Sequence, residues 1–205
     1  MATLAQLRHG PPVVDAIGPG PDVTLAVDRK DDEESNQEDD EKESSRMTTA
    51  STFTMPMDTP VGQLVLESDG DVLIGIWLPT TGRKVKATGH DAPPVLKETF
   101  TQLEEYFAGE RTEFDVPMEL DGTEFQRQVW AELSRIPYAE TISYGELARR
   151  VGRPKGPRAV GQANGRNPIP IIVPCHRVLA SNGIGGYGGG LPMKRALLAV
   201  EGVTA

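Results

Sequence analysis

Residues 123–165 read TEFQRQVWAELSRIPYAETISYGELARRVGRPKGPRAVGQANG. The first third places apolar residues at helical spacing, and Pro137 follows where such a helix would have to end. The apolar face consists of Phe125, Val129, Leu133 and Ile136. The stretch therefore begins with an amphipathic helix.

Two further helices are predicted behind it. Ser143 lies three residues before Glu146, which is the spacing of an N-terminal capping box, so one helix should start there. The segment GRPKGP breaks that helix, and residues 157–165 predict the next one. A helix, a short turn and a small basic helix together outline a helix-turn-helix.

The last of these helices carries mostly small side chains, which leave much of its backbone uncovered. Arg158 is at its start, and we expect this side chain to enter a base stack or touch a phosphate. A helix of small residues can approach a narrow groove closely, which favours the minor groove of DNA; equally, it could pack against a neighbouring helix. The small residues are Ala159, Gly161, Ala163 and Gly165.

Charge is divided unevenly along the chain. The 205 residues carry net charge -9, yet residues 141–205 hold nine basic and two acidic residues, a net charge of +7. Residues 28–43 hold ten acidic and three basic residues, a net charge of -7. A basic module on an acidic protein is typical of a nucleic-acid-binding surface, although a merely solvated basic face has the same composition.

The leader, residues 1–50, is rich in proline and glycine and then acidic, and it has no sustained periodicity. We expect it to be disordered, because it cannot bury enough apolar surface to fold. It serves either as a solubilising segment or as a competitor of DNA for the basic face. Prolines interrupt its apolar residues, which argues against a signal peptide.

No run of eighteen apolar residues occurs, so no membrane partner is expected. One cysteine, Cys175, cannot form an internal disulfide and fits a reducing cytoplasm. The expected location is therefore cytoplasmic, with the protein at the nucleoid in a bacterium or in the nucleus of a eukaryote.

Residues 51–118 predict a small α/β domain with an antiparallel sheet. Two strands, 62–67 and 72–78, flank the turn sequence SDGD; a helix over 94–108 and a short strand at 114–116 follow. This part has one histidine, His90, and no cysteine, so it offers neither a nucleophile with its base nor a metal cluster. With the helical domain 119–205, the fold class is α+β.

The sole cysteine lies in NPIPIIVPCHRVLASNGIGGYGGG, residues 167–190. A lone buried cysteine is commonly a small apolar residue. Here His176 and Arg177 follow it directly, and such neighbours lower a thiol pKa or remove its proton. Asn167 could fix the local turn or hold the hydrogen-bond network of the thiolate. The six glycines around Tyr187 form either a loop that closes over a flat ligand or an ordinary surface loop.

Five segments carry a resemblance to a known family. They are PCHRV, the preceding RNPIPIIV, the downstream GGLPMKRALLAVEG, and the upstream SYGELA and PRAVGQA. Over about residues 52–203 the chain resembles the O6-alkylguanine-DNA alkyltransferases, also called methylated-DNA-protein-cysteine methyltransferases. The resemblance implies a winged-helix-like C-terminal domain and a monomer that needs no cofactor, metal or obligate protein partner.

The resemblance also implies a function and residue roles. The protein would flip O6-alkylguanine, and also O4-alkylthymine, out of duplex DNA from the minor groove and move the alkyl group to Cys175 in a single turnover. His176 would take the thiol proton through a water, Glu201 would orient the imidazole, Tyr144 would donate to the departing purine, and Asn167 would support the site. DNA-binding residues would be Arg158, Tyr144, Ala159, Gly161, Gln162, Ala163 and Arg166, and the substrate-binding loop Val178, Tyr187, Gly188 and Gly189.

Two departures and two alternatives accompany this interpretation. Some relatives hold a structural zinc in the N-terminal domain through cysteines and histidines, whereas this chain has His90 there and no cysteine. Some relatives also have serine where Gly188 stands. A cysteine hydrolase would bring a distant histidine, and only His9 and His90 remain for that role. A non-catalytic protein that recognises alkylation lesions would leave Cys175 and His176 unused.

Overall fold

The computed structural model describes residues 52–82 and 92–204. The predictions for the leader 1–50 and for His90 lie outside the described residues. Three strands come first: β1, Phe53–Thr59; β2, Gly62–Ser68; and β3, Leu73–Trp77. They form an antiparallel sheet in the order β1-β2-β3.

The predicted hairpin is confirmed as β2 and β3. Its turn is held by side chains, because the Ser68 hydroxyl accepts from the Gly70 N–H and the Asp69 carboxylate accepts from the N–H groups of Asp71 and Val72. No strand was predicted at β1. Proline disfavours a central strand, but Pro56 is tolerated here because β1 pairs with β2 alone and is an edge strand.

Helix α1, Pro94–Phe107, confirms the predicted helix, with a buried face that includes Gln102 and Tyr106. The predicted strand at 114–116 is wrong. The chain there is irregular, and a bridge forms later, between Met118 and Leu73 of β3. The Leu73 N–H donates to the Pro117 carbonyl at 2.9 Å, so the segment still lies along the sheet edge.

The helix-turn-helix is confirmed. It contains α2, Glu124–Leu133; α3, Tyr144–Arg150; and α4, Pro157–Gly165. Thr123 and Gln126 form a complete capping box at α2. Ser143 caps α3 by accepting from the Glu146 N–H at 3.0 Å, whereas the Glu146 carboxylate pairs with Arg149 and Arg150 on its own helix instead of completing a box. Helix α2 stops at Leu133, and Ile136 is buried beyond its end.

The remaining elements surround the cysteine. Strands β4, Ile142–Ser143, and β5, Val178–Leu179, pair in parallel, and α5, Leu191–Val200, packs against a 3₁₀ turn at Cys175–Arg177. The sheet joins this region directly, since the Ile76 N–H donates to the Pro168 carbonyl at 2.9 Å. The architecture confirms the α+β class. Within the described ranges, no helix is long and apolar enough to cross a membrane.

Candidate active site

The segment before the cysteine is braced by one asparagine. The Asn167 side chain donates from Nδ2 to the Val173 carbonyl at 2.7 Å and accepts at Oδ1 from the Ile169 N–H at 3.0 Å. Inside that span, Ile171 has φ of 79°, a left-handed conformation that β-branched residues rarely adopt. The surrounding hydrogen bonds thus hold a strained turn immediately before Cys175.

Cys175 begins the 3₁₀ turn and is 5% exposed. Burial raises the pKa of its thiol, while Asn167 and the Lys194 charge lower that pKa in part. Asn164 on α4 donates to the Cys175 carbonyl at 3.3 Å and so ties the helix to the nucleophile. A buried thiol of this kind needs a nearby base before it can attack.

His176 and Glu201 form a buried pair behind the thiol. His176 Nε2 lies 2.7 Å from Glu201 Oε1, and both side chains are fully buried. Burial lowers the pKa of His176, so the imidazole is neutral at neutral pH. Because Nε2 then donates to the carboxylate, Nδ1 is the free base, and Nδ1 has no hydrogen-bond partner within the part of the chain described.

Glu201 remains ionised despite its burial. Although desolvation opposes ionisation, hydrogen bonds from His176 and Arg177 lower the pKa of Glu201 to about 2. Arg177 donates from Nε to Oε2 at 2.9 Å and from Nη2 to Oε1 at 3.0 Å, and its Nη1 donates to the Ile136 carbonyl at 2.6 Å. The guanidinium therefore neutralises the carboxylate and fixes its plane.

A cleft of about 550 Å³ opens onto Cys175. Its walls come from β3 and the turn after it, from α3 and α4, and from the loops beside the cysteine; predicted residues among them are Tyr144, Gly161, Arg166, Asn167, Tyr187 and Gly188. The volume is within the range of pockets that hold small planar ligands. The Tyr144 hydroxyl donates to the Gly186 carbonyl at 3.4 Å, a long bond, and burial raises the pKa of this tyrosine.

The glycine-rich loop forms part of the wall of this cleft and is held from two sides. The Lys194 ammonium donates to the carbonyls of Val178, Ile184 and Gly186 at 2.6, 2.7 and 3.2 Å. Thr80, on the turn after β3, donates to the Gly188 carbonyl at 3.0 Å. The loop is thus held in place along the cleft that Cys175 also lines.

Two of the four residues predicted for the substrate-binding loop do not line the cleft. Val178 is buried because it pairs with Ile142 in the short parallel sheet. Gly189 is buried against Met193 and Leu78, where even a Cβ atom would collide. Tyr187 and Gly188 do line it, and the Tyr187 hydroxyl is buried beside Cys175 without a hydrogen-bond partner among the described residues.

The predicted DNA-contacting helix presents most, but not all, of its predicted residues outward. Its exposed residues include Arg158, Ala159, Gln162 and Arg166. Ala163 is 3% exposed, and its carbonyl accepts from Trp130 Nε1 at 2.9 Å, so this residue faces α2 and the prediction of a surface position for it is wrong. The packing interpretation therefore holds for the Ala163 side of α4, and contact of the exposed side with DNA stays a prediction.

Sequence reasoning missed Tyr106, Asn164 and Lys194, all of which contact the site over long distances in the chain. Their hydrogen bonds span 95, 11 and 16 positions respectively. The one available sign was the spacing of α1, where Tyr106 continues the buried face set by Val95 and Gln102. No cluster of His, Cys, Asp and Glu that could hold a metal ion occurs in residues 52–82 and 92–204.

A buried thiol with an imidazole–carboxylate pair, placed beside a helix-turn-helix, defines a cysteine-dependent protein of the DNA-binding class. The family model for the 6-O-methylguanine DNA methyltransferase ribonuclease-like domain matches residues 53–120, and that for the DNA binding domain of the same family matches residues 124–203. The chain belongs to the 6-O-methylguanine DNA methyltransferase family.

Individual relatives agree with this assignment. A methylated-DNA–protein-cysteine methyltransferase of Mycobacterium tuberculosis is 50% identical over 147 residues, 71% of this chain and 89% of the relative. That of Methanosarcina mazei is 54% identical over 146 residues, 70% and 92% of the two chains. The crystal structure of Mycobacterium tuberculosis OGT in complex with DNA has a TM-score of 0.62 at 48% identity and covers 73% of this chain and 91% of that one.

Proposed function

We propose that this chain repairs DNA by moving an alkyl group from O6-alkylguanine, and from O4-alkylthymine, onto Cys175. The observation that carries the proposal is that Cys175 lines the cleft while the next residue, His176, is hydrogen-bonded to Glu201. A recognition protein without chemistry would not require a neutral imidazole with its lone pair left free beside a cysteine.

The chemical step is a displacement at the alkyl carbon. The Cys175 sulfur forms a bond to that carbon while the bond from carbon to O6 breaks, and the electron pair leaves on the guanine. The thiol proton passes through one water to His176 Nδ1. A direct transfer is less suitable, because neighbouring side chains on the chain point apart.

The charge that develops on each side of this step has a partner. Glu201 stabilises the imidazolium that forms on His176, and Arg177 keeps the carboxylate ionised throughout. On the substrate side, Tyr144 would donate its proton or a hydrogen bond to the departing guanine. Its present bond to Gly186 is long enough to be exchanged for one to a ligand.

Duplex DNA would dock on the exposed face of α4 through its minor groove. Small side chains let the helix backbone approach closely, and Arg158 at the N-terminal end would occupy the place in the stack that the flipped base leaves. The damaged base would then enter the cleft bounded by Tyr144, Tyr187 and Gly188. Weak pairing of an alkylated base lowers the cost of flipping it.

Each molecule would act once. A thioether is a poor leaving group, and the chain holds no second cysteine to accept the alkyl group. The protein is then consumed in proportion to the lesions repaired.

The Cys175→Ser variant tests this proposal. It should lose methyl transfer from a duplex with one O6-methylguanine while its affinity for that duplex stays within about threefold of the parent, since the DNA face is untouched. Transfer is followed by loss of label from the DNA, and binding by fluorescence anisotropy. Continued stoichiometric transfer by this variant would contradict the assignment of Cys175 as acceptor.

A further inference from the structure

We call Cys175, His176, Glu201 and Arg177 the relay. One residue of the N-terminal half of the described chain, which contains the sheet and α1, contacts this relay. Tyr106 on α1 is fully buried, and its hydroxyl donates to Glu201 Oε1 at 2.8 Å across 95 positions of sequence. Neither the nucleophile nor its base comes from this half of the chain. A contact of this kind therefore needs a reason beyond general packing.

Three donors converge on a single carboxylate oxygen. Glu201 Oε1 accepts from His176 at 2.7 Å, from Tyr106 at 2.8 Å and from Arg177 at 3.0 Å. The second oxygen accepts from Arg177 and from the Ala139 N–H, the latter at 3.2 Å. With both oxygens saturated, the carboxylate cannot rotate without losing a buried hydrogen bond.

The phenol ring is fixed as firmly as its hydroxyl. Tyr106 packs edge-on against Phe107 and Tyr138, with ring centroids 5.3 and 6.3 Å apart, and tilted against Phe114 at 5.5 Å. Burial first, and then the charge of Glu201, raise the pKa of Tyr106 far beyond its usual value. The hydroxyl therefore keeps its proton and donates to Glu201 at neutral pH.

We infer that Tyr106 is a positioning residue for alkyl transfer: its hydroxyl holds the Glu201 carboxylate in the orientation that keeps the His176 proton on Nε2 and Nδ1 free. The inference rests on the proposed function. The N-terminal half of the protein, which has neither the nucleophile nor its base, would then supply one of four residues that act in series. These are Tyr106, Glu201, His176 and Cys175.

The hydrogen bond from Tyr106 to Glu201 should have a measurable effect on the pKa of His176. A donor to a carboxylate draws negative charge away from the imidazole beside it, so deletion of the hydroxyl should raise the pKa of His176. The charged groups that face His176 are Glu201, Arg177 and Lys194, and the first has the largest influence after burial. Since only the neutral imidazole accepts the thiol proton, the acid limb of the transfer rate should move to higher pH.

The Tyr106→Phe variant removes this hydroxyl and keeps the ring. We expect single-turnover methyl transfer from a duplex with one O6-methylguanine to slow about tenfold at neutral pH, and the acid-limb midpoint to rise by roughly half a pH unit. A ¹⁵N-histidine titration should show the same upward shift for His176, one of three histidines in the chain.

The matched control is Tyr138→Phe. It deletes another hydroxyl of the same aromatic cluster, one that donates to the Val200 carbonyl at 3.0 Å and not to Glu201, so the midpoint should not move. Incorporation of 3-fluorotyrosine at position 106 gives a stronger donor of nearly the same shape, and the midpoint should then fall. That substitution decides the matter if Tyr106→Phe does not fold.

Equal His176 midpoints in the parent, Tyr106→Phe and the fluorotyrosine protein would overturn the inference and leave Tyr106 as a packing residue. The ¹⁵N titration needs no alkyl transfer. If the parent transferred no methyl group, the proposed function would fail, while the titration would still decide whether Tyr106 controls the His176–Glu201 pair.

Discussion

The relay behind Cys175 and the outer face of α4 use charged residues in opposite ways. In the relay, Glu201 and Arg177 are almost fully buried and make specific, multiple hydrogen bonds. On α4, Arg158 and Arg166 are exposed at either end of a helix of small residues. Only the first arrangement excludes water from its charges.

The buried charges of the relay fix the positions of atoms, whereas the exposed arginines of α4 attract phosphates. Buried, hydrogen-bonded charges are costly to disturb and fix atoms to within fractions of an ångström, which a proton relay requires. Exposed arginines contribute through the field they present to phosphates, and their effect weakens with salt. We therefore expect relay changes to alter stability and pH dependence, and face changes to alter action on duplex DNA alone.

The largest expected effect is on stability, from Glu201→Gln. Removal of the negative charge leaves Arg177 buried without its partner, so the free energy of unfolding should fall by about 3–5 kcal/mol. Denaturant titration measures this change. Glu146→Gln is the matched control: its carboxylate pairs with Arg149 and Arg150 on the surface of α3, and its loss should change the unfolding midpoint little. Equal losses of unfolding free energy in the two variants would show that the buried and the exposed carboxylate stabilise the fold equally.

Acid should weaken the same pair. The pKa of Glu201 is about 2 in the folded protein against an ordinary value of 4.5, so between these values the unfolded chain binds a proton that the folded one does not. Its stabilising contribution is complete above pH 4.5 and is lost as pH falls towards 2, on the order of 3 kcal/mol. Urea unfolding from pH 5 to 2.5 should show a steeper decline in the parent than in Glu201→Gln. Parallel curves would contradict the assigned shift.

On the exposed face, Arg158→Ala should slow transfer from an O6-methylguanine duplex by about 10- to 100-fold and leave transfer from free O6-benzylguanine within about twofold. The free base needs no flipping, so it isolates the chemistry. Arg195→Ala removes the same charge from the exposed side of α5 and serves as control. Equal losses of transfer rate on both substrates would show that Arg158 affects the chemical step, as the relay does, and not the docking of duplex DNA.

The smallest effect is expected at the link between the sheet half and the glycine-rich loop. Thr80→Val removes the hydroxyl that donates to the Gly188 carbonyl. Because Lys194 still holds the loop by other carbonyls, transfer rates should fall by no more than about threefold, with faster amide exchange across residues 185–189. A loss as large as that of Arg158→Ala would show that Thr80 controls closure of the cleft.

Local pattern predicted much of this fold. The hairpin, α1 and the helix-turn-helix follow from turn residues, apolar spacing and caps such as Ser143. Strand β1 was not predicted, because Pro56 is unfavourable in a strand unless the strand is at an edge. Edge position is a property of the whole sheet. The same limit explains the absent strand at 114–116.

The site was predictable where neighbours in sequence are neighbours in space. Cys175, His176 and Arg177 share one turn, and the resemblance supplied Glu201 and Tyr144. Tyr106 and Lys194 reach the site only through the packing of α1 and α5, which no local pattern records. Ala163 was misplaced because small residues alone do not tell which side of a helix faces its neighbours.

The most direct test of the account is mass spectrometry of the Cys175 peptide after incubation with a duplex that carries one O6-methylguanine. If Cys175 accepts the alkyl group, the peptide should carry one added methyl group, at one equivalent per protein, with no second turnover. An unmodified cysteine in a protein that binds the lesion tightly would contradict it and would leave the chain as a recognition protein.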